Sequence, residues 1–333
     1  MLIMGNCISC KESLTNTEII AFDNMPAAAQ HMPDKEQVKN DRGIHLPLCQ
    51  CKKCGLIQFD CEPVEYYRDV IRAGGYSTTM VELRRRQYKE FIKRYQLEGK
   101  KIIEAGCGRG EFLRVLKEFP VKGYGIEHDP SLAEIAKESG LLVSCDFTET
   151  IDQKLPNGPF DAFLSFNFLE HQPSPDVMLT CLYNNLTDDG VGLITVPSFE
   201  YIMDHSSYYE LIRDHIAYYT FDTLTSLMER SGFDVVEASM INRDTLSLIV
   251  RKRPQVETEN LLECYVNLRE EMNTYMKYLR AWHKTVCIWG ASHQGFTLAA
   301  TTCLGENAEY IIDSASFKHG KYAPASHLPI EVG

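Results

Sequence analysis

The sequence predicts an α/β protein built around a doubly wound, Rossmann-like sheet of seven strands, with a small cysteine-rich module before the sheet and a partial Rossmann-like unit after it. Three observations support this prediction. Short apolar stretches alternate with amphipathic ones between residues 99 and 252, which is typical of a mostly parallel sheet covered by helices. Two Cys-x-x-Cys pairs lie within residues 1–61, and a shorter strand–helix–strand pattern follows residue 256.

The composition is that of an ordinary globular protein. Of the 333 residues, 44% are hydrophobic and 24% are charged, and the formal net charge is −12. A negative surface repels phosphate backbones, so we expect a small-molecule substrate and no nucleic acid. No apolar run reaches the ~20 residues needed to cross a bilayer, and the N-terminus lacks the features of a secretory signal. We therefore expect a cytoplasmic protein without a membrane partner, and the sequence leaves its oligomeric state open.

The N-terminal module, residues 1–61, contains a strong metal-binding signal. Each Cys-x-x-Cys pair places two thiolates on one tight turn, and two pairs complete a tetrahedral zinc site. The expected ligands are Cys7, Cys10, Cys51 and Cys54. A segment with so little apolar content needs a metal to fold, so we expect the zinc to be structural. Unrelated reduced thiols are the alternative, and Cys49 could replace Cys51 only by giving up the Cys-x-x-Cys spacing.

A helical linker at 62–98 leads into the central domain, which we expect at 99–252. Residues 80–95 of the linker interleave Leu, Phe and Ile with Arg, Lys and Glu, which indicates an amphipathic helix. The strands of the domain are predicted at 101–105, 123–127, 141–144, 161–166, 190–196, 234–238 and 246–251, and its helices at 111–119, 131–139, 175–186 and 221–231. We expect the last two strands to pair antiparallel.

The first strand of this domain ends in an acid and a glycine-rich bend. Glu104 is followed by Gly106, Gly108 and Gly110, and glycine lets the backbone adopt a positive φ and approach a ligand closely. Nicotinamide dinucleotides bind at a similar bend. An acid directly before the bend, however, suits the ammonium group of S-adenosylmethionine and would repel a pyrophosphate. Glu127 ends the second strand and can accept hydrogen bonds from the ribose hydroxyls of either cofactor.

The ends of the third and fourth strands favour one of these cofactors. Asp146 is placed to bind the adenine amino group, Phe147 to lie against the adenine ring, and Asn167 begins the loop after the fourth strand. Together with the glycine bend, these residues resemble the ordered cofactor motifs of class I methyltransferases. The sequence therefore predicts S-adenosylmethionine as the cofactor.

Over nearly its whole length the chain resembles a family of S-adenosylmethionine-dependent C-methyltransferases. Its members join an N-terminal zinc-binding domain, a class I methyltransferase domain and a C-terminal Rossmann-like domain, which is expected here at 256–333. The matching motifs are the two cysteine pairs with NMP at 24–26 between them, CGLIQ at 54–58, EAGCGRG at 104–110, FLEHQP at 168–173, DHxxYYT at 214–220, VCIWG at 286–290, Asp313, KHGKY at 318–322 and HLPI at 327–330. The best-understood members methylate a carbon of nucleotide-linked 4-keto-deoxysugars, and the resemblance implies this activity here.

The resemblance also implies a catalytic acid–histidine pair, which aligns with Asp214 and His215. A ketone acidifies the neighbouring carbon, a neutral imidazole takes that proton, and the enolate attacks the methyl sulfonium. The acid would orient the imidazole or polarise an oxygen. The family pattern adds His171 after the fourth strand and Tyr76 near the linker helices. Each of these has a structural alternative: His171 could brace its loop, His215 could lie on the surface, and Tyr76 could pack at a helix start.

Several residues depart from the family pattern. Ile212 stands where sugar-methylating members tend to have tyrosine, and Asp214 stands where they have glutamate. The C-terminal glycine turn at 290–295 is altered, and the predicted C-terminal domain is truncated relative to those of the family. These departures leave O- or N-methylation of a sugar or another small metabolite as one alternative. A binding protein with an inactive methyltransferase domain is a separate alternative, and the intact acids Glu104, Glu127 and Asp146 oppose it, because each is costly to bury without a ligand.

Overall fold

The computed structural model of the protein describes residues 5–30, 32–69, 77–256 and 258–333. These residues form two compact units, of which the first ends at Pro254 and the second begins at Gln255. Within the described residues, no helix combines the length and the apolar character that crossing a membrane requires.

The first unit begins with strands and continues as an alternating α/β region. Its elements are β1 (Glu18–Met25), β2 (Ile44–Gln50), β3 (Ile57–Phe59), α1 (Thr78–Arg94), β4 (Lys101–Ala105), α2 (Glu111–Leu116), β5 (Lys122–Glu127), α3 (Pro130–Glu138), β6 (Leu142–Cys145), β7 (Phe160–Phe166), α4 (Pro175–Asn184), β8 (Leu186–Pro197), α5 (Phe199–Asp204), β9 (Ala217–Tyr218), α6 (Phe221–Arg230), β10 (Phe233–Ile241) and β11 (Thr245–Lys252).

A mixed seven-stranded sheet forms the centre of this unit, in the order β10-β11-β8-β7-β4-β5-β6. The strands from β8 to β6 run parallel, whereas β11 pairs antiparallel with both β8 and β10. This arrangement is the class I methyltransferase fold, so the predicted fold class is confirmed. Because β4 lies between β7 and β5, the loops that follow these three strands meet at one edge of the sheet.

Most predicted elements of the sheet match the observed ones closely, and the largest difference is at β8. This strand begins at Leu186 rather than residue 190, because Leu186 pairs with Phe160 before a register shift in the β7–β8 ladder. Helix α4 accordingly ends before Asn185, whose side-chain Oδ1 accepts a hydrogen bond from the Leu155 N–H at 2.9 Å.

The N-terminal module contains a second sheet, with the strand order β1-β2-β3-β9. The sequence does not predict its first three strands. Most side chains of β1 are exposed and β3 has only three residues, so neither shows a clear alternation of apolar and polar positions. Strand β9 belongs to the central domain in sequence, and its pairing with β3 joins the module to the segment that follows His215.

The second unit contains a long helix and a small parallel sheet. Its elements are α7 (Glu259–Ala281), β12 (Cys287–Trp289), α8 (His293–Thr301), α9 (Leu304–Asn307), β13 (Tyr310–Asp313) and β14 (Ile330–Val332). The strand order is β12-β13-β14, with parallel pairing throughout. The expected strand–helix–strand unit is present, and β14 adds a strand that is too short to show a period in the sequence.

Candidate active site

The bend after β4 brings a buried acid and three glycines to the edge of the sheet. The Glu104 side chain is fully buried. Gly106, Gly108 and Gly110 have φ values of 68°, 58° and 75°, which favour glycine over residues with a Cβ. The Gly106 N–H donates to the Ile126 carbonyl at 3.0 Å and so holds the bend against β5.

The close approach of Gly106 to Phe168 gives a test of this bend. A Cβ at Gly106 would lie 2.8 Å from the Phe168 ring, so Gly106→Ala must displace either the ring or the bend. We expect Gly106→Ala to weaken S-adenosylhomocysteine binding at least ~10-fold in a calorimetric titration. Gly99→Ala is the matched control, because Gly99 also has a positive φ, of 74°, and an added Cβ there meets nothing within 4 Å. Equal losses of affinity in the two variants would contradict this role of the bend.

Glu127 ends β5 next to the glycine bend. Its Oε2 accepts a hydrogen bond from the Gly108 N–H at 2.8 Å, and its Oε1 accepts one from the Asp129 N–H at 3.0 Å. Burial raises the pKa of this carboxyl group, and the two N–H donors oppose the shift. Each carboxylate oxygen has a second acceptor position, so Glu127 can still bind a pair of hydroxyls.

Asp146 and Phe147 follow β6 and, with His128, border a cleft of about 500 Å³ that we call the β6 cleft. The Oδ1 of Asp146 accepts hydrogen bonds from the Phe147 N–H at 2.8 Å and from Nε2 of Gln153 at 2.7 Å. The Phe147 ring stands edge-on to Phe168, with 6.3 Å between the ring centroids. Since Phe168 also lies against the glycine bend, the residues predicted for adenine and for methionine meet at the same edge of the sheet.

A second cleft, of about 370 Å³, lies at the ends of β7 and β8, and we call it the β7–β8 cleft. Its wall includes Arg84, Asn167, Ser198, His215 and Asp244. Asn167, which the sequence assigns to the cofactor, has a φ of 48°, and its Oδ1 accepts from the Thr195 hydroxyl at 3.0 Å. The buried Arg84 donates to the same hydroxyl at 3.1 Å. The sequence does not single out Arg84, because it is one of three consecutive arginines in an amphipathic helix.

Two histidines and a glutamate meet beside this cleft. The candidate ligand atoms of Glu170, His171 and His215 all lie within 4.8 Å of one another, and the two imidazole centroids are 4.8 Å apart. The Nδ1 of His171 is 2.9 Å from the Asp214 carbonyl oxygen. Because a carbonyl can only accept, this nitrogen bears the proton and Nε2 of His171 keeps its lone pair.

Burial controls the protonation of this cluster. It lowers the pKa of His171 and, together with the neighbouring His171, holds the pKa of His215 well below its usual value. It also raises the pKa of Glu170 to about 8. At neutral pH the cluster therefore consists of two neutral imidazoles and a carboxylic acid. Nδ1 of His215 and Oε2 of Glu170 are buried without a hydrogen-bond partner among the described residues.

Asp214 occupies a different position from the one expected of a partner for His215. Its Oδ2 accepts a hydrogen bond from the Ala29 N–H, and its Oδ1 accepts one from the Tyr66 hydroxyl, both at 2.8 Å. The carboxylate therefore does not orient the His215 imidazole, and the backbone carbonyl of Asp214 orients His171 instead. The remaining candidate, Tyr76, lies outside the described residues.

The four cysteines predicted as zinc ligands converge in the N-terminal module. Their sulfurs all lie within 4.8 Å of one another, with 3.5 Å between Cys7 and Cys54 and between Cys10 and Cys51. A tetrahedral site with zinc–sulfur bonds of ~2.3 Å has sulfurs ~3.8 Å apart, so the cluster fits a single zinc ion. The hydrogen bond from the Cys7 thiol lowers the pKa of Cys54 to about 5. Cys49 is not a member of the cluster, which favours Cys51 as the ligand.

Glu170, His171 and His215 are also close enough together to hold a metal ion. Two imidazoles and a carboxylate are common ligands of divalent transition metals. An ion bound there would occupy a lone pair of His215, however, and a general base needs a free lone pair. The two uses of this cluster therefore exclude each other.

Comparison with protein families identifies two domains in the chain. Residues 80–238 match the family described as a methyltransferase domain, and residues 259–332 match the family described as a C-methyltransferase C-terminal domain. The protein is thus an enzyme that carries out S-adenosylmethionine-dependent methyl transfer, and its second unit is similar to C-methyltransferase C-terminal domains. No curated protein matches the chain.

Similar solved structures include several methyltransferases. An S-adenosylmethionine-dependent methyltransferase from Clostridium acetobutylicum is 12% identical, with 52% of this chain and 92% of the other covered and a TM-score of 0.42. A methyltransferase from Aquifex aeolicus is 16% identical, with 53% of this chain and 98% of the other covered and a TM-score of 0.42. Magnesium protoporphyrin IX methyltransferase from Synechocystis, with bound SAH, is 13% identical. The match covers 54% of this chain and 90% of the other, with a TM-score of 0.42.

Proposed function

We propose that the protein methylates a carbon atom of a nucleotide-linked keto-deoxysugar, through an enolate formed by a histidine base. The observation that supports this proposal is the position of His215, which lines the β7–β8 cleft with an imidazole kept neutral by its lowered pKa. A neutral imidazole accepts a proton and an imidazolium does not. A ketone in this cleft would acidify the C–H bond beside it, and transfer of that proton to His215 would leave the enolate that C-methylation requires.

The neighbours of His215 have roles that fit this reaction. We assign His171 to substrate binding, because its fixed tautomer presents Nε2 as an acceptor for a sugar hydroxyl. Asp214 positions His171 through its backbone carbonyl. Asn167 is reassigned from the cofactor to the wall of the substrate cleft. Tyr76 stays a catalytic candidate on the strength of the family resemblance.

We assign the cofactor to the crevice formed by the glycine bend and the β6 cleft. Glu104 would bind the methionine ammonium, Glu127 the ribose hydroxyls, and Asp146 and Phe147 the adenine. When bound, S-adenosylmethionine supplies the electrophilic methyl group. We assign a structural zinc ion to the four-cysteine cluster, whose thiolates would fill a tetrahedral shell and leave no position for a substrate.

O- or N-methylation of a sugar or another small metabolite is the second candidate function. The presence of Ile212 in place of the tyrosine typical of sugar C-methylating enzymes favours it. In that reaction His215 would deprotonate a hydroxyl or an amine, and no enolate would form.

Hydrogen exchange separates the two candidates. We expect the enzyme, incubated in D₂O with S-adenosylhomocysteine and a panel of nucleotide-linked keto-sugars, to place deuterium on the carbon beside the ketone of an accepted sugar. A parallel incubation with methyl-labelled S-adenosylmethionine should place the label on the same carbon. Label on an oxygen or nitrogen without exchange would favour the second candidate, and no labelled product from any keto-sugar would contradict the first.

A further inference from the structure

A short turn at residues 66–69, here called the 66–69 segment, contacts both the cofactor crevice and the catalytic residues. Within this segment the Asp69 N–H donates to the Tyr66 carbonyl at 2.9 Å, which closes the turn. The first and last side chains of one turn therefore make contacts in two different parts of the active site.

On the cofactor side, the segment lies against both aromatic walls of the β6 cleft. The Oδ1 of Asp69 is 2.9 Å from Nδ1 of His128, the residue that directly follows β5. The Tyr67 ring stands edge-on to Phe147 with 6.1 Å between centroids, and the Arg68 guanidinium lies 5.5 Å from the centre of the same Phe147 ring. Three consecutive residues thus contact side chains that border the β6 cleft, so a nucleoside bound there changes the surroundings of the segment.

On the catalytic side, the segment holds the residue that orients His171. The Tyr66 hydroxyl donates to Oδ1 of Asp214 at 2.8 Å. Asp214 is only 3% exposed, and its carbonyl oxygen accepts the His171 Nδ1–H bond at 2.9 Å. The His171 ring in turn packs edge-on against His215. Because Asp214 and His171 are buried and these groups are in contact, a shift of Tyr66 has to be accommodated by Asp214 and the two imidazoles.

We propose that Tyr66 and Asp69 are positioning residues that couple occupancy of the cofactor crevice to the placement of His171 and His215. A ligand that contacts His128 or Phe147 stabilises one position of the 66–69 segment, and the Tyr66 hydrogen bond transmits that preference to Asp214. The base is then correctly placed when the cofactor crevice is occupied, which restricts proton abstraction to complexes that contain a bound nucleoside. This inference rests on the proposed assignments of the cofactor crevice and of the two histidines.

Nuclear magnetic resonance of ¹³C-labelled histidine tests this coupling without a substrate. The ring signals of His171 and His215 are assigned with the variants His171→Gln and His215→Gln, and S-adenosylhomocysteine is then added to saturation. In the wild-type protein we expect both signals to shift. In Tyr66→Phe the His171 shift should fall to less than about half, while the dissociation constant for S-adenosylhomocysteine changes by less than ~3-fold. Asp69→Asn, which changes the other end of the 66–69 segment, should also reduce the shift of the His171 signal.

Two matched controls separate this coupling from a general effect of the substitutions. Tyr95→Phe removes a tyrosine–carboxylate hydrogen bond of the same length, from the Tyr95 hydroxyl to Oε1 of Glu237 at 2.8 Å. Asp23→Asn removes an aspartate that lies 2.7 Å from Nδ1 of His45 on the surface of the N-terminal module. Neither pair belongs to the 66–69 segment, so both variants should keep the wild-type shifts.

Undiminished histidine shifts in Tyr66→Phe and Asp69→Asn, in variants that unfold at the wild-type temperature, would overturn the coupling. Wild-type protein whose two histidine signals do not respond to saturating S-adenosylhomocysteine would also overturn it. Absence of any binding would instead contradict the cofactor assignment of the proposed function, so the two failures are distinguishable. If Tyr66→Phe does not fold, Asp69→Asn, at a partly exposed position, provides the same measurement.

Discussion

Replacing His215 with glutamine should lower kcat by about 10³-fold and leave the affinity for S-adenosylhomocysteine within ~3-fold of the wild-type value. Glutamine keeps a polar side chain of similar reach but has no group that takes up a proton at neutral pH. His215 lines the β7–β8 cleft, whereas the proposed cofactor acids Glu104 and Glu127 lie at the ends of β4 and β5. Rates with labelled S-adenosylmethionine and calorimetric titrations measure the two quantities separately.

The matched control is His205→Gln, which makes the same exchange at an exposed position. His205 follows α5, and its Nδ1 lies 3.0 Å from the Tyr201 carbonyl oxygen. This variant should retain the wild-type kcat. If His215→Gln kept more than about a tenth of the wild-type kcat, the loss would be smaller than removal of a general base produces, and the proton acceptor would have to be another group.

The pH dependence of kcat follows from the same residue. Burial and the neighbouring His171 hold the pKa of His215 well below its usual value. The neutral imidazole is the active form, so activity is lost as the pH falls through this lowered pKa. We therefore expect kcat to stay level from about pH 8 to below pH 6.5, whereas an exposed histidine would lose activity near pH ~6.5. An acid limb centred near pH ~6.5 would show that His215 is solvated when it acts.

The position of the proposed cofactor residues in the fold is the part of the site that the sequence predicts well, because it is set by local pattern. Glu104 and Glu127 lie at or next to the ends of their strands, Asp146 directly follows its strand, and the ends of neighbouring parallel strands meet at one edge of a sheet. The strands themselves are predictable because they are buried, apolar and separated by helices. Asn167 shows the limit of this approach: its place after the fourth strand is correct, but the cleft that it lines depends on β8 and the β10–β11 turn.

The surroundings of the two candidate histidines, His171 and His215, could not be predicted in the same way. Asp214 is adjacent to His215 in the sequence, yet its carboxylate accepts hydrogen bonds from Ala29 and Tyr66, which are 185 and 148 residues away. Periodicity describes which face of an element is buried, and it contains no information on such distant pairs. Glu170 directly precedes the predicted His171, but its full burial and raised pKa depend on the packing around it. A charged residue between an apolar run and a histidine usually lies at the surface.

Loss of the proposed zinc ion should disturb more than the N-terminal module, and Cys51→Ser should cause this loss by changing one of the four proposed ligands. Gln58, in β3 shortly after the second cysteine pair, lies opposite Ala217 of β9. Its buried side chain also accepts a hydrogen bond from the Ile8 N–H, within the first cysteine turn, at 2.9 Å. When the two cysteine turns lose the metal, we therefore expect β3 to move. This movement would displace β9, the strand that begins two residues after His215.

The expected effect is large because structural zinc sites contribute ~10 kcal/mol or more to the folding of small modules. We expect Cys51→Ser to contain little zinc by elemental mass spectrometry and to unfold at a lower temperature. Its kcat should fall by about 10-fold or more, because displacement of a base by ~1 Å is costly. Its affinity for S-adenosylhomocysteine should stay within ~3-fold of wild type, because the cofactor acids belong to the central sheet.

Cys49→Ser is the matched control, since Cys49 is a buried cysteine of β2 that lies outside the four-sulfur cluster. It should retain one zinc ion per chain and most of the activity. Zinc loss in Cys49→Ser with retention in Cys51→Ser would reverse the assignment of the ligand. Zinc loss in Cys51→Ser with unchanged kcat would mean that β9 keeps its place without β3. In that case the position of His215 would be set by its packing against His171 and Tyr218, and not by the pairing of β9 with β3.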